Sequence, residues 1–187
     1  MANTSPLSSR RILIMATDGF EQSELEVPLE RLGEAGADVD IASIEMAEIT
    51  GWDKDDWGDD VEVHLKIADV NVDDYDALVL PGGQINPDLL RVDKKAIALI
   101  QAFAAAGKPV AAICHAPWLL IEAGLVKGRR MTSYKSIRTD VANAGADVVD
   151  EAVVIDGNII TSRSPDDLAA FCDAIIEALA ENAAFAE

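Results

Sequence analysis

The chain is poor in the side chains that build disulfide scaffolds and metal centres. Its 187 residues include two cysteines, Cys114 and Cys172, and two histidines, His64 and His115. Two cysteines so far apart give no disulfide framework and point to a reducing, cytoplasmic setting. Cations are scarce too: 15 Lys and Arg stand against 34 Asp and Glu, a formal net charge of −19. Nucleic acids and anionic membranes are bound through clustered Lys and Arg, so neither is expected as a partner. No apolar run approaches the ~20 residues needed to span a bilayer. Met1 to Arg11 is polar and Ser-rich, without the apolar core of a secretory signal. No metal is expected either. Asp53, Asp55 and Gly58 brush a calcium-loop pattern, but Trp57 and His64 hold its fifth and twelfth positions, and the ligand set fails.

What remains reads as one globular domain over residues 11–182, after a mobile tail (1–10) and before a frayed end (183–187). Ile12–Met15 and Val110–Ile113 are continuous apolar runs of strand length, and Asp76–Leu80 is apolar after its first residue. Such runs mark strands buried on both faces, hence a parallel sheet covered by helices. Glu21–Gly36, Asp93–Ala106 and a last segment from Ser164-Pro165 to about Ala180 carry helical spacing. Pro28 lies inside the first, where a kink is expected. Ser164 is the expected N-cap of the last. Met46–His64 interrupts the alternation and suits a hairpin, Met131–Tyr134 suits a short strand, and Asp156-Gly157 joins a second hairpin.

The chemistry centres on Lys108–Glu122. There a buried strand ends on Cys114-His115 and turns directly into a helix. That corner is a nucleophile elbow, where the amides of the following helix lower a thiol's pKa. The alternative is a small core residue, the common fate of free cysteine. Adjacent side chains in regular structure point apart, so a Cys114–His115 pair requires a strained corner. Pro81-Gly82-Gly83 follows another buried strand, at the carboxyl edge where parallel sheets bind ligands.

These pieces resemble the DJ-1/PfpI superfamily, nearest its PfpI-like branch of intracellular proteases and general stress proteins. The resemblance rests on DGFEQSEL (18–25), LVLPGG (78–83), GKPVAAICHAP (107–117), LVKGRRMTS (125–133) and DGNIITSRSPDDL (156–168). It implies a flavodoxin-like three-layer α/β sandwich, like that of class I glutamine amidotransferases, with a mostly parallel sheet and helices on both faces. It also implies a homodimer or higher homo-oligomer, without a cofactor. Cys114 becomes the nucleophile, with the Gly83 and His115 backbone N–H groups as an oxyanion hole. Glu21 is matched to the family's buried, protonated glutamate, although as a residue alone it reads as a helix N-terminal acid. Asp88 falls near the acid that partners His115's counterpart across a subunit interface. A glutaminase would need a His-x-Glu pair downstream of the elbow, and no histidine follows His115. The expected activity is a stress-response, cysteine-dependent hydrolase acting on reactive α-oxoaldehydes or their adducts, with peptides the alternative substrate. A non-catalytic redox sensor using Cys114 is the third reading.

Overall fold

The computed structural model describes residues 5–184, with side chains to residue 180. In chain order, β1 (Arg11–Met15) leads through β2 (Phe20–Glu21) into α1 (Gln22–Glu34), then β3 (Asp38–Ser43). The interrupting segment forms β4 (Ile49–Asp53) and β5 (Asp56–Val61), followed by β6 (Leu65–Lys66). Next come β7 (Ala77–Leu80), α2 (Ile85–Leu90), α3 (Lys94–Ala105), β8 (Val110–Ile113) and α4 (Pro117–Glu122). The chain closes with β9 (Arg130–Met131), α5 (Arg138–Asn143), β10 (Asp147–Val148), β11 (Val153–Asp156), β12 (Ile159–Ser162) and α6 (Leu168–Ala184).

The main sheet has seven strands in the order β11-β12-β8-β7-β1-β3-β6. All its pairings are parallel except β11 with β12. The apolar runs explain the layers. Leu13, Met15, Leu78, Leu80, Val110 and Ala112 pack into one core cluster. Their alternates Ile12, Ile14, Ala77, Val79, Ala111 and Ile113 pack into the other. Side chains alternate along a strand, so a sheet with helices on both faces needs apolar residues at every position. The fold is the flavodoxin-like three-layer sandwich.

Several local expectations change. The tail is anchored within residues 5–9: Leu7 is fully buried, and its N–H donates to Ala35 O at 2.9 Å. Residues 1–4 and 185–187 lie outside the described residues. Helix α1 runs through Pro28 without a break. β9 is only two residues long, because Thr132 N–H turns to Thr161 Oγ1 (3.0 Å) and Tyr134 N–H to Cys114 O (2.8 Å). Ser164 makes no side-chain cap; Pro165–Asp167 forms a 3-10 turn ahead of α6. The β4–β5 hairpin pairs with β2 as a separate three-stranded sheet, beside the carboxyl edge of β1.

Candidate active site

The carboxyl ends of β1, β7 and β8 bring three loops to one edge of the sheet. Buried Asn86 ties two of them together. Its Oδ1 accepts Thr17 N–H (2.8 Å) and its Nδ2 donates to Pro81 O (2.9 Å) and Gly82 O (3.1 Å). Cys114 occupies the third loop with φ +65°, left-handed backbone that costs a non-glycine residue ~1–2 kcal/mol. Cys114 N–H donates to Ser162 O at 3.1 Å, which with the Tyr134 bond holds the corner in place. The strained turn swings two adjacent side chains to the same side, and Cys114 Sγ lies 3.1 Å from His115 Nδ1.

His115 is 4% exposed. Its ring stacks on Tyr134 (centroids 4.8 Å apart, 27° between planes) and meets Trp118 edge-on at 5.3 Å. Its Nε2 lies 3.1 Å from Ser136 Oγ. Burial lowers its pKa, so the imidazole is neutral at pH 7.

The carboxyl against the thiol is Glu24, and this corrects the placement of Glu21. Glu24 is fully buried; its Oε2 accepts Gly82 N–H at 2.8 Å, and the group contacts the Cys114 thiol. Burial, then the negative charge of Glu21, pushes its pKa up to about 8. It is therefore a proton-bearing donor at neutral pH. Glu21 is half-buried and caps α1: its Oε2 accepts Ser23 Oγ–H (2.6 Å) and Glu24 N–H (2.9 Å). Glu21 still lines the cleft, but its oxygens face the helix end. One sequence signal did mark Glu24. It shares the i, i+4, i+8 stripe of Pro28 and Leu32, all buried, and an acid on that stripe enters the core.

The thiol is not simply activated. Burial pushes its pKa up, an ionised Glu24 pushes it further, and N–H groups of Gly83 and His115 on the sulfur oppose both. The depression expected from a helix N-terminus does not dominate. Cys114 and Glu24 form a coupled pair whose protons leave as properties of the pair. The same two N–H groups are those expected to form the oxyanion hole. Gly83 has φ +82°, and a Cβ there would run into the backbone of Gly19 and Glu21; only glycine lets this amide approach so closely. Asp88 is exposed on α2 and makes no contact with His115 within the chain. Ser136, which carried no signal in the sequence, holds the distal nitrogen.

The thiol opens into a cleft of about 560 Å³ whose walls include Trp52, Lys54, Ile85, Tyr134 and Pro165. Among the described residues no His, Cys, Asp and Glu cluster could hold a metal ion, and no helix is long and apolar enough to cross a membrane. Chemically, the arrangement offers a thiol with a neutral imidazole on one side, a protonated carboxyl on another, and two amides for developing negative charge.

Such an architecture defines an α/β sandwich with a buried thiol site at the carboxyl edge of its sheet. Comparison with known proteins then fixes the family: residues 10–178 match the DJ-1/PfpI family model, and the chain belongs to that family. Deglycase TK1284 of Thermococcus kodakarensis is 46% identical over 169 residues, 90% of this chain and 99% of that protein. General stress protein 18 of Bacillus subtilis is 44% identical over 164 residues, 87% of this chain and 93% of its own length. These relatives support the PfpI-like branch. Among solved structures, DJ-1beta of Drosophila melanogaster superposes with a TM-score of 0.84 at 30% identity, covering 92% of this chain and 91% of its own.

Proposed function

We propose that the protein is a cysteine-dependent hydrolase of reactive α-oxoaldehydes and of their adducts with amines. The observation that carries this reading is the Cys114 sulfur set between the His115 imidazole at 3.1 Å and the Glu24 carboxyl, on the wall of an open cleft. Neutral His115 accepts the thiol proton at Nδ1 as sulfur adds to the aldehyde carbon. The C–S bond forms, the carbonyl π pair moves to oxygen, and the Gly83 and His115 amides stabilise that charge. Protonation of the oxygen gives a hemithioacetal. Transfer of the C1 proton to the neighbouring carbonyl carbon through an enediol gives a thioester. Water then cleaves the C–S bond, releasing a 2-hydroxy acid and the thiol, so the net change is addition of one water. An amine adduct enters the same path after its amine departs. Glu24, kept protonated by burial, takes the role first matched to Glu21.

The name of the Thermococcus relative, a deglycase, supports the adduct form of the substrate. The peptidase alternative needs an acid on His115, and within the chain Ser136 occupies that nitrogen while Asp88 faces solvent. We further infer a homo-oligomer: Ile85, Leu89 and Val92, on or just after α2, are exposed apolar side chains beside Asp88, a surface suited to self-association. The free thiols Cys114 and Cys172 support a reducing compartment. The test is conversion of methylglyoxal to lactate followed by NMR, with Cys114→Ala as control. Turnover by the wild type and a loss of at least about 1,000-fold in the variant are expected for removal of a nucleophile. Equal turnover by both proteins would remove Cys114 from the chemistry, and no turnover by the wild type would leave the redox-sensor reading.

A further inference from the structure

We propose that a second, cationic cleft adjoining the thiol cleft binds an anionic group, phosphate or carboxylate, on the far end of the carbonyl substrate. The inference rests on the carbonyl reading above and narrows its substrate class. The second cleft has a volume of about 480 Å³, and Lys135, Arg138 and Arg163 all contribute to its lining. Tyr134 and Pro165 line both clefts, so a ligand leaving the thiol along the Tyr134 ring arrives among these cations. In a chain with 15 cations and a net charge of −19, a generally acidic surface repels anions. Three cations line this one small cleft, and Asp150 and Asp167 pair with only two of them.

The cleft is built rather than loose. Arg138 Nη2 and Arg163 Nη1 both donate to Asp150 Oδ1, at 2.7 and 2.8 Å. Arg163 also clamps Asp167 through Nε (2.8 Å) and Nη2 (3.0 Å). Both guanidiniums are therefore fixed before any ligand arrives, which lowers the ordering cost of binding. The two arginines are balanced by Asp150 and Asp167. Lys135 is exposed and forms no ion pair among the described residues, so it is the uncompensated cation. Arg138 Nε is buried without a partner, leaving its guanidinium short of acceptors. Asp166 also lines the cleft and carries the ligand's own sign of charge; like Lys135 it is exposed, so salt screens both. The cluster also lies next to the reactive centre in sequence: Lys135 follows Tyr134, which stacks on His115, and precedes Ser136, which contacts Nε2.

The test uses the intact protein and needs no turnover. Iodoacetamide alkylation of Cys114 is followed while glyceraldehyde or glyceraldehyde 3-phosphate protects the thiol. Half-protection by the phosphorylated aldehyde at about tenfold lower concentration is expected for one added charge-assisted contact. The ratio should fall toward unity in Lys135→Ala and rise again in Lys135→Arg. Equal protection by the two aldehydes overturns the subsite and leaves the carbonyl reading standing, as does a preference that survives Lys135→Ala. If neither aldehyde protects, methylglyoxal turnover still decides the carbonyl reading, and calorimetric titration with inorganic phosphate alone decides the subsite. Binding that Lys135→Ala weakens several-fold upholds it, and no binding ends it. A carboxylate source is separated from phosphate by succinic semialdehyde, whose carboxylate lies at the end away from the aldehyde and which protects in a Lys135-dependent way only if the cleft takes a carboxylate.

Discussion

Glu21 Oε2 accepts the backbone N–H of Glu24 at 2.9 Å, so one carboxylate fixes the helix turn that presents the other to the thiol. The two acids do opposite work three residues apart. Glu21 serves as an anion at the positive end of α1, where four backbone N–H groups lack helical partners. Its charge then raises the pKa of Glu24, second only to burial. The cap and the buried proton are one arrangement: removing the first weakens the second.

Glu21→Gln is accordingly expected to act at a distance and Glu24→Gln at the sulfur. Without the Glu21 charge, the inflection contributed by Glu24 to Cys114 alkylation moves to lower pH. The weakened cap costs about 1 kcal/mol of stability. Glu24→Gln instead removes that inflection and leaves a single ionisation. The pH dependence of iodoacetamide alkylation, run on all three proteins, distinguishes the roles. A Glu24→Gln profile that overlays the wild type would uncouple this carboxyl from the thiol.

Glu24 also predicts how stability varies with pH. Its folded-state pKa of about 8 lies above its ordinary value of 4.5, so between those values the folded chain holds a proton that the unfolded chain releases. The contribution is full below pH 4.5 and is lost as pH rises toward 8, on the order of 5 kcal/mol for a group so buried. Wild type and Glu24→Gln should have similar urea midpoints near pH 4, where Glu24 is largely protonated in both the folded and the unfolded chain. At pH 8 the variant should be the more stable. A difference that stays constant across this range would show that Glu24 titrates normally.

Much of this was legible in the sequence for a physical reason. Runs such as Ile12–Met15 and Val110–Ile113 are apolar at every position, and only strands covered on both faces satisfy that pattern. The Cys114 corner was legible because a strand ending on Cys-His before a helix leaves little room for another geometry. The choice between Glu21 and Glu24 was harder. Both begin the same helix, the resemblance matches the family's buried glutamate to Glu21, and as a residue alone Glu21 reads only as a helix N-terminal acid. What decides it is helical phase, since Glu24 shares the buried stripe of Pro28 and Leu32 while Glu21 precedes the first turn. Ser136 and Leu7 were not legible at all. Ser136 reaches His115 across 21 residues of sequence, and a single Leu in a polar segment carries no periodicity.

Gly82 sets the spacing of the pair. A Cβ built there would sit 2.5 Å from Glu24 Oε2, 2.7 Å from Cys114 Cβ and 2.8 Å from Ile113 O. None of these can yield cheaply, since one is backbone and the others are buried side chains. Gly82→Ala should thus push Glu24 and Cys114 apart, destabilise the fold by roughly 1–3 kcal/mol through overpacking, and slow alkylation of Cys114. Thermal unfolding and alkylation rate measured together provide the check. A variant as stable and as reactive as wild type would mean that the loop relaxes freely despite the Asn86 bonds that pin it.

The final prediction concerns Ser136, placed here as a positioning residue. With Nδ1 accepting from the thiol, the proton of neutral His115 resides on Nε2, and Ser136 Oγ at 3.1 Å accepts it. Ser136→Ala leaves that N–H in a buried setting without its partner, at a cost of about 1–3 kcal/mol. It also frees the imidazole to exchange tautomers. Nε2–H is then no longer favoured, and the fraction of enzyme with a basic nitrogen toward sulfur falls. Turnover of methylglyoxal should drop several-fold in kcat with little change in KM, because the lost contact touches the base and not the cleft wall. Ser136→Thr retains the hydroxyl and should restore most of the rate. A merely structural role would instead lower the melting temperature without altering the kcat-to-KM split. The decisive readout is the Nε2 signal of His115 by nitrogen-15 NMR: a protonated Nε2 in the wild type and a mixed tautomer in Ser136→Ala uphold the assignment. Protonation at Nδ1 in the wild type would make His115 a donor to sulfur and would overturn its assignment as the base that takes the thiol proton.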